Sequence, residues 1–84
     1  MTDEQIWEKV VSVMRENFDD DALPVTRTTT AKDVSGWNSL AHIELLVALQ
    51  SAFRMKFNTG EIASLKNVGE LADTITRRLR EAGK

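Results

Sequence analysis

The chain has 84 residues, 42% of them hydrophobic and 29% charged, with one proline, four glycines and no cysteine, which fits one small globular domain over residues 1–84. The missing cysteines exclude a disulfide framework and thiolate zinc sites, leaving one histidine and carboxylates as the only candidate ligands, too few for a structural zinc site. A net charge of −2 argues against nucleic acid as a partner, since neutralising phosphates takes a surplus of Lys and Arg.

The first predicted helix runs from about Asp3 to Asn17. Ile6, Val10, Val13 and Met14 recur at helical spacing, Thr2 and Gln5 stand at capping-box spacing, and Asp3 and Glu4 suit the positive end of the dipole. Residues 19 to 38 then form a long connection, which a compact domain tolerates only where the loop carries function or is tied down. Leu23, Val25, Val34 and Trp37 are its expected anchors, and Thr30-Ala31-Lys32-Asp33 suits one capped turn. The threonine-rich stretch 25–30 alternates like a strand, but no second strand exists to pair with it, so it reads as loop. A second helix is predicted from about Ser39 to Arg54, marked by Leu40, Ile43, Leu46, Val47 and Phe53. A short third helix of about one turn is expected over Glu61-Ile62-Ala63-Ser64-Leu65. The last is marked by Val68, Leu71, Ala72, Ile75 and Leu79, with Asn67 and Glu70 as its cap pair and Arg77, Arg78 and Arg80 at its negative end. The expected fold is therefore all-α, a small four-helix bundle of three longer helices and one short one, with a long loop between helices one and two. Trp7, Phe53 and Phe57 belong to its core or the edge of it.

No apolar run approaches the roughly 18 residues of a membrane span, and Met1-Thr2-Asp3-Glu4-Gln5 lacks the basic and apolar parts of a secretory signal. A monomer in the cytoplasm, with no membrane partner, is the expectation. Charge is uneven: residues 1–50 hold nine acids and four bases, residues 51–84 four acids and seven bases. The triplet Asp19-Asp20-Asp21 lacks the spaced oxygens and glycine of a calcium loop and reads as solvated surface.

The stretch Asp33-Val34-Ser35-Gly36-Trp37-Asn38-Ser39-Leu40 is the most informative. A glycine and short polar residues precede an amphipathic helix, which presents a serine hydroxyl at the helix N-terminus. Free N–H groups and the helix dipole favour a phosphate there, bound or attached to the serine oxygen. The plainer alternative is that Asn38 or Ser39 only caps the helix. Ser39, His42 and Glu44 hold the letters of a hydrolase triad, yet three- and five-residue spacings on one helix do not converge into a relay, so no catalytic residue is assigned.

This stretch, continuing through Ala41-His42-Ile43-Glu44-Leu45-Leu46-Val47-Ala48-Leu49 to Phe53, resembles the attachment region of acyl carrier proteins, whose usual core is Asp-Ser-Leu opening the second helix. The long loop, the short third helix and the start Asn67-Val68-Gly69-Glu70-Leu71 are similar as well, so the resemblance covers nearly the whole chain. It implies a carrier and not an enzyme, with a 4'-phosphopantetheine arm, donated from coenzyme A by a phosphopantetheinyl transferase, on Ser39. The arm's thiol would hold acyl groups for loading ligases or synthases, as in fatty acid biosynthesis. Asn38, Leu40, Ala41, His42, Glu44 and Leu45 would face partners, with Leu40, Ala41 and Leu45 supplying apolar contacts. Leu46, Ile62, Leu65, Ala72 and Ile75 would combine core packing with a cleft for the acyl chain.

Two residue patterns depart from the family. Asn38 stands where Asp is usual, which keeps a cap but removes a charge that a transferase could read. Fatty-acid carriers present several acids on the second helix to basic patches on partners, whereas residues 40–54 offer only Glu44 against Arg54. The resemblance therefore points to a specialised, freestanding carrier, with an aminoacyl or peptidyl carrier and a cofactor-free helical interaction module as alternatives. For His42, contact with the arm or a partner stands against a solvated helix position without a task. For Trp37, core anchoring stands against exposure beside the arm.

Overall fold

A computed structural model describes residues 1–57 and 65–82 of the chain. Three α-helices, α1 (Asp3–Asn17), α2 (Ser39–Phe53) and α3 (Val68–Glu81), and one 3-10 turn (Ala31–Asp33) make up its regular structure, and there is no strand among the described residues. The short helix expected at 61–65 lies, apart from Leu65, outside the described residues.

Local chemistry sets each boundary. Thr2 and Gln5 cap α1 reciprocally: the Gln5 backbone N–H donates to Thr2 Oγ1 at 3.1 Å and the Thr2 N–H to Gln5 Oε1 at 2.9 Å. After α1 the chain reverses through Asp19, whose φ of 51° is left-handed, and Asp20 Oδ1 accepts from the Ala22 N–H. The acidic triplet thus also builds the turn that ends α1. The helix α2 stops one residue short of the predicted end because Arg54 adopts φ 52°, ψ 49°, the left-handed conformation common just past a helix.

The α1–α2 loop is tied down along its length. Leu23 and Val34 are buried, Val25 and Trp37 half-buried, so all four anchors act as expected. The Arg15 Nε–H donates to the Leu23 carbonyl at 3.0 Å. In the 3-10 turn, the Asp33 carboxylate accepts from the Thr30 N–H and hydroxyl. Further along, the first N–H groups of α3, which have no partner inside the helix, donate to the loop: Val68 to the Thr29 carbonyl at 2.9 Å and Gly69 to that of Arg27 at 2.8 Å. The approach is close enough to require glycine, because a Cβ at position 69 would lie 2.7 Å from the Arg27 oxygen. Arg27 also reaches Asp73 at 2.7 Å, an exposed pair worth well under about 1 kcal/mol.

One core joins the helices. Ile6, Val10 and Met14 of α1 meet Leu45, Leu46, Leu49 and Phe53 of α2 and Val68, Leu71, Ala72, Ile75 and Leu79 of α3. Trp7 and Phe57 pack at its edge. Leu40, Ile43 and Val47, three of the residues that mark the second helix in the sequence, are 67%, 59% and 58% exposed. At about 100° per residue they share one side of α2, and Leu45, Leu49 and Phe53 lie roughly opposite.

Candidate functional site

The start of α2 is built by a turn and a cap. Gly36 adopts φ 86°, the Trp37 N–H donates to the Val34 carbonyl at 3.2 Å, and the Asn38 N–H to that of Gly36 at 3.0 Å. Asn38 is the cap, its Oδ1 accepting from the Ala41 N–H at 2.9 Å, which makes Ser39 the first helical residue. Of the two capping candidates, Asn38 therefore takes the role and Ser39 is released from it. Ser39 is exposed, and the N–H groups of Ser39 and Leu40 have no acceptor among the described residues. A hydroxyl, two open donors and the positive end of a 15-residue helix thus coincide.

The surroundings hold this corner in place. Asn17, the last residue of α1, donates its side-chain N–H to the Ala41 carbonyl at 3.3 Å. Trp37 lies half-buried between Phe18, with ring centroids 5.6 Å apart, and His42, stacked at 6.0 Å. Its Nε1–H donates to His42 Nδ1 at 3.1 Å. Trp37 is an anchor, as favoured by the area of its indole, but an anchor inside the site. The solvated alternative for His42 is corrected too: the side chain is half-buried and turned toward Trp37. No sequence signal marked this contact, because neither residue type nor a spacing of five predicts it.

The other predicted site residues divide by face. Leu40 and Glu44 are exposed and Ala41 is half-buried. Leu45, expected to offer a partner an apolar contact, is fully buried and belongs to the core instead. Ile43 and Val47 are exposed beside Leu40, and the sequence reading assigns neither of them a place at the site. His42 and Glu44 point to different sides, and Nδ1 of His42 is taken by Trp37, so Ser39, His42 and Glu44 form no relay. Among the described residues no group of three or more His, Cys, Asp or Glu is placed to hold a metal ion.

Of the expected cleft residues, Leu46, Ala72 and Ile75 are buried, Leu65 is half-buried, and Ile62 lies outside the described residues. A cavity of about 70 Å³ lies behind the site, lined by Trp37, His42, Leu65 and Leu71 among others. That is roughly half the volume of a dry cavity known to take benzene. A larger groove of about 540 Å³ between α1 and α3 lies elsewhere, walled by Trp7 and by the pairs Arg27–Asp73 and Arg80–Asp3, and includes none of the residues around Ser39.

Comparison with known proteins gives a consistent picture. No protein-family model matches the chain. An acyl carrier protein of Guillardia theta is 25% identical over 79 residues, covering 94% of this chain and 98% of the relative. One of Thermotoga maritima is 28% identical over 76 residues, covering 90% and 94%. Among solved structures, the solution NMR structure of a holo acyl carrier protein from Geobacter metallireducens superposes with a TM-score of 0.85 at 39% identity, covering 90% of this chain and 87% of that one.

Proposed function

The chain belongs to the acyl carrier protein family, and as a carrier and not an enzyme it needs an attached group; we propose that this group is 4'-phosphopantetheine on Ser39, donated from coenzyme A by a phosphopantetheinyl transferase. The residues fit it. Ser39 offers an exposed hydroxyl, the adjacent N–H groups of Ser39 and Leu40 suit its phosphate, and Asn38 capping keeps those donors in line. When bound, the arm supplies a thiol that holds an acyl group as a thioester. The chain's own contribution is placement. Trp37, wedged between Phe18 and His42, fixes the approach to Ser39, and Asn17 ties the first turn of α2 to α1. Leu46, Ala72 and Ile75, with Leu65, would border an acyl chain that entered the core, each buried methylene contributing about 0.8 kcal/mol against the packing it displaces.

The single observation that carries this reading is an exposed serine at the first position of a long helix, freed from capping by the residue before it. Partners would be the transferase and the ligases or synthases that load and unload the arm. The exposed face of α2 is poor in acids, with Glu44 its lone carboxylate among the residues of that helix, which favours a specialised lipid or secondary-metabolite pathway over the general fatty-acid one. The same feature suits a second reading, an aminoacyl or peptidyl carrier loaded by an adenylating enzyme. No helix among the described residues is long and apolar enough to cross a membrane.

Incubation of the protein with coenzyme A and a broad-range transferase, followed by intact mass measurement, tests the reading. A gain of one phosphopantetheine, abolished by Ser39→Ala, is expected. No gain with several transferases would overturn it in favour of a cofactor-free helical module.

A further inference from the structure

The exposed side of α2 ends in a second feature that attachment of an arm does not use. Beyond Leu40, Ile43 and Val47 lies an open groove of about 570 Å³, lined by Val47, Gln50, Ser51, Arg54, Met55 and Lys56. Among the described residues its lining holds two cations and no acid. Neither cation forms an ion pair with another described residue, whereas Arg27, Arg77 and Arg80 all do. Glu44 does not neutralise them: ten residues of helix separate it from Arg54, about 15 Å, beyond the screening length of about 8 Å at physiological salt.

The groove is also held in shape. The Met55 N–H donates to the Gln50 carbonyl at 3.0 Å, the Phe57 N–H to Gln50 Oε1 at 3.0 Å, and an Arg78 N–H to the Lys56 carbonyl at 3.1 Å. Arg54 itself sits at φ 52°, ψ 49°, a position where glycine is the usual residue because a side chain there is strained. The charge suits the negative end of the α2 dipole, but the left-handed backbone offsets that gain, so the fold has little net use for a long cationic side chain at that position.

Resting on the carrier reading above, we infer that the exposed face of α2 docks a partner enzyme whose surface pairs an apolar socket for Leu40, Ile43 and Val47 with acidic side chains for Arg54 and Lys56. The apolar row is continuous with Ser39, and the basic end lies about 22 Å along the helix from it. The partner's acids would therefore sit about that far from the mouth through which the arm enters. This polarity is the reverse of an acidic second helix meeting a basic patch, and it selects against enzymes built for such helices as well as for its own.

The probe is a fatty-acid acyltransferase with a basic carrier-docking patch, used in its natural form and in a form with the patch's Lys and Arg replaced by Glu. Its activity toward free pantetheine verifies that both forms work. Intact mass first establishes that the carrier is fully modified on Ser39, so failure of the carrier reading is visible before docking is measured. The acidic form is expected to show a KM for this carrier about threefold to tenfold below that of the basic form, with the gap closing as salt is raised. The Arg54→Glu/Lys56→Glu double variant should reverse the ranking. Arg54→Gly separates docking from folding: thermal stability should hold or rise while KM for the acidic form increases. Equal KM for both forms, which would mean purely apolar docking, a lower KM with the basic form, or a ranking unmoved by the double variant would each overturn the inference.

Discussion

The two faces of α2 are made of the same kind of residue and do opposite things. Leu45, Leu46, Leu49 and Phe53 face α1 and α3 and are almost wholly removed from water, while Leu40, Ile43 and Val47, equally apolar, stand in it. The first set stabilises the fold. The second contributes nothing comparable to it, and leaving three large apolar side chains exposed in a row is the mark of a surface meant to be covered. A helix apolar on all sides is ordinarily buried on all sides. Here only half of it is, and Ser39 sits at the end of the exposed half's row.

Substitutions break this contrast in order of size. Leu49→Ala on the buried face should cost about 2–5 kcal/mol, read as a fall in the denaturant midpoint, because the deleted methyls leave a cavity between three helices. Asn38→Ala, at the end common to both faces, should cost about 0.5–2 kcal/mol through loss of the cap to Ala41. Asn38→Asp keeps that bond and adds a negative charge at the positive helix end, so it should hold or gain stability and speed modification by transferases. An unchanged rate with every transferase tried would show that the charge is not read. His42→Leu, at the border of the faces, should cost about 0.5–1.5 kcal/mol and shift the emission of Trp37, measured in a Trp7→Phe background. Ile43→Ala and Val47→Ala should change stability by no more than about 0.5 kcal/mol, yet raise the KM of any enzyme that uses the arm. Should either destabilise the fold as much as Leu49→Ala, the division of α2 into two faces would fail.

Much of this was legible in the sequence, and the part that was not has a common cause. Helix starts were readable because caps are local: Thr2 with Gln5 and Asn67 with Glu70 announce themselves within four residues. The position of Ser39 was readable because Gly36, Trp37 and the polar pair Asn38-Ser39 immediately precede a long apolar run of helix formers. The facing of α2 was not, since Leu40, Ile43 and Val47 fall at helical spacing as regularly as Leu45, Leu49 and Phe53, and periodicity selects a side only when the other side is polar. Loop anchors such as Leu23 and Val34 could be named from hydrophobicity alone. What they anchor could not: Arg27 meets Gly69 across 42 residues of sequence, and the contact of Trp37 with His42 depends on where Gly36 turns the chain.

The central claim is that the residue released from capping at the start of α2 is the one that carries the arm. Fragmentation of the fully modified chain, locating the added mass to a single residue, tests it most directly. The prediction is phosphopantetheine on Ser39 and on no other hydroxyl. Its appearance on Ser35 or Ser51, or on several residues at once, would contradict the account.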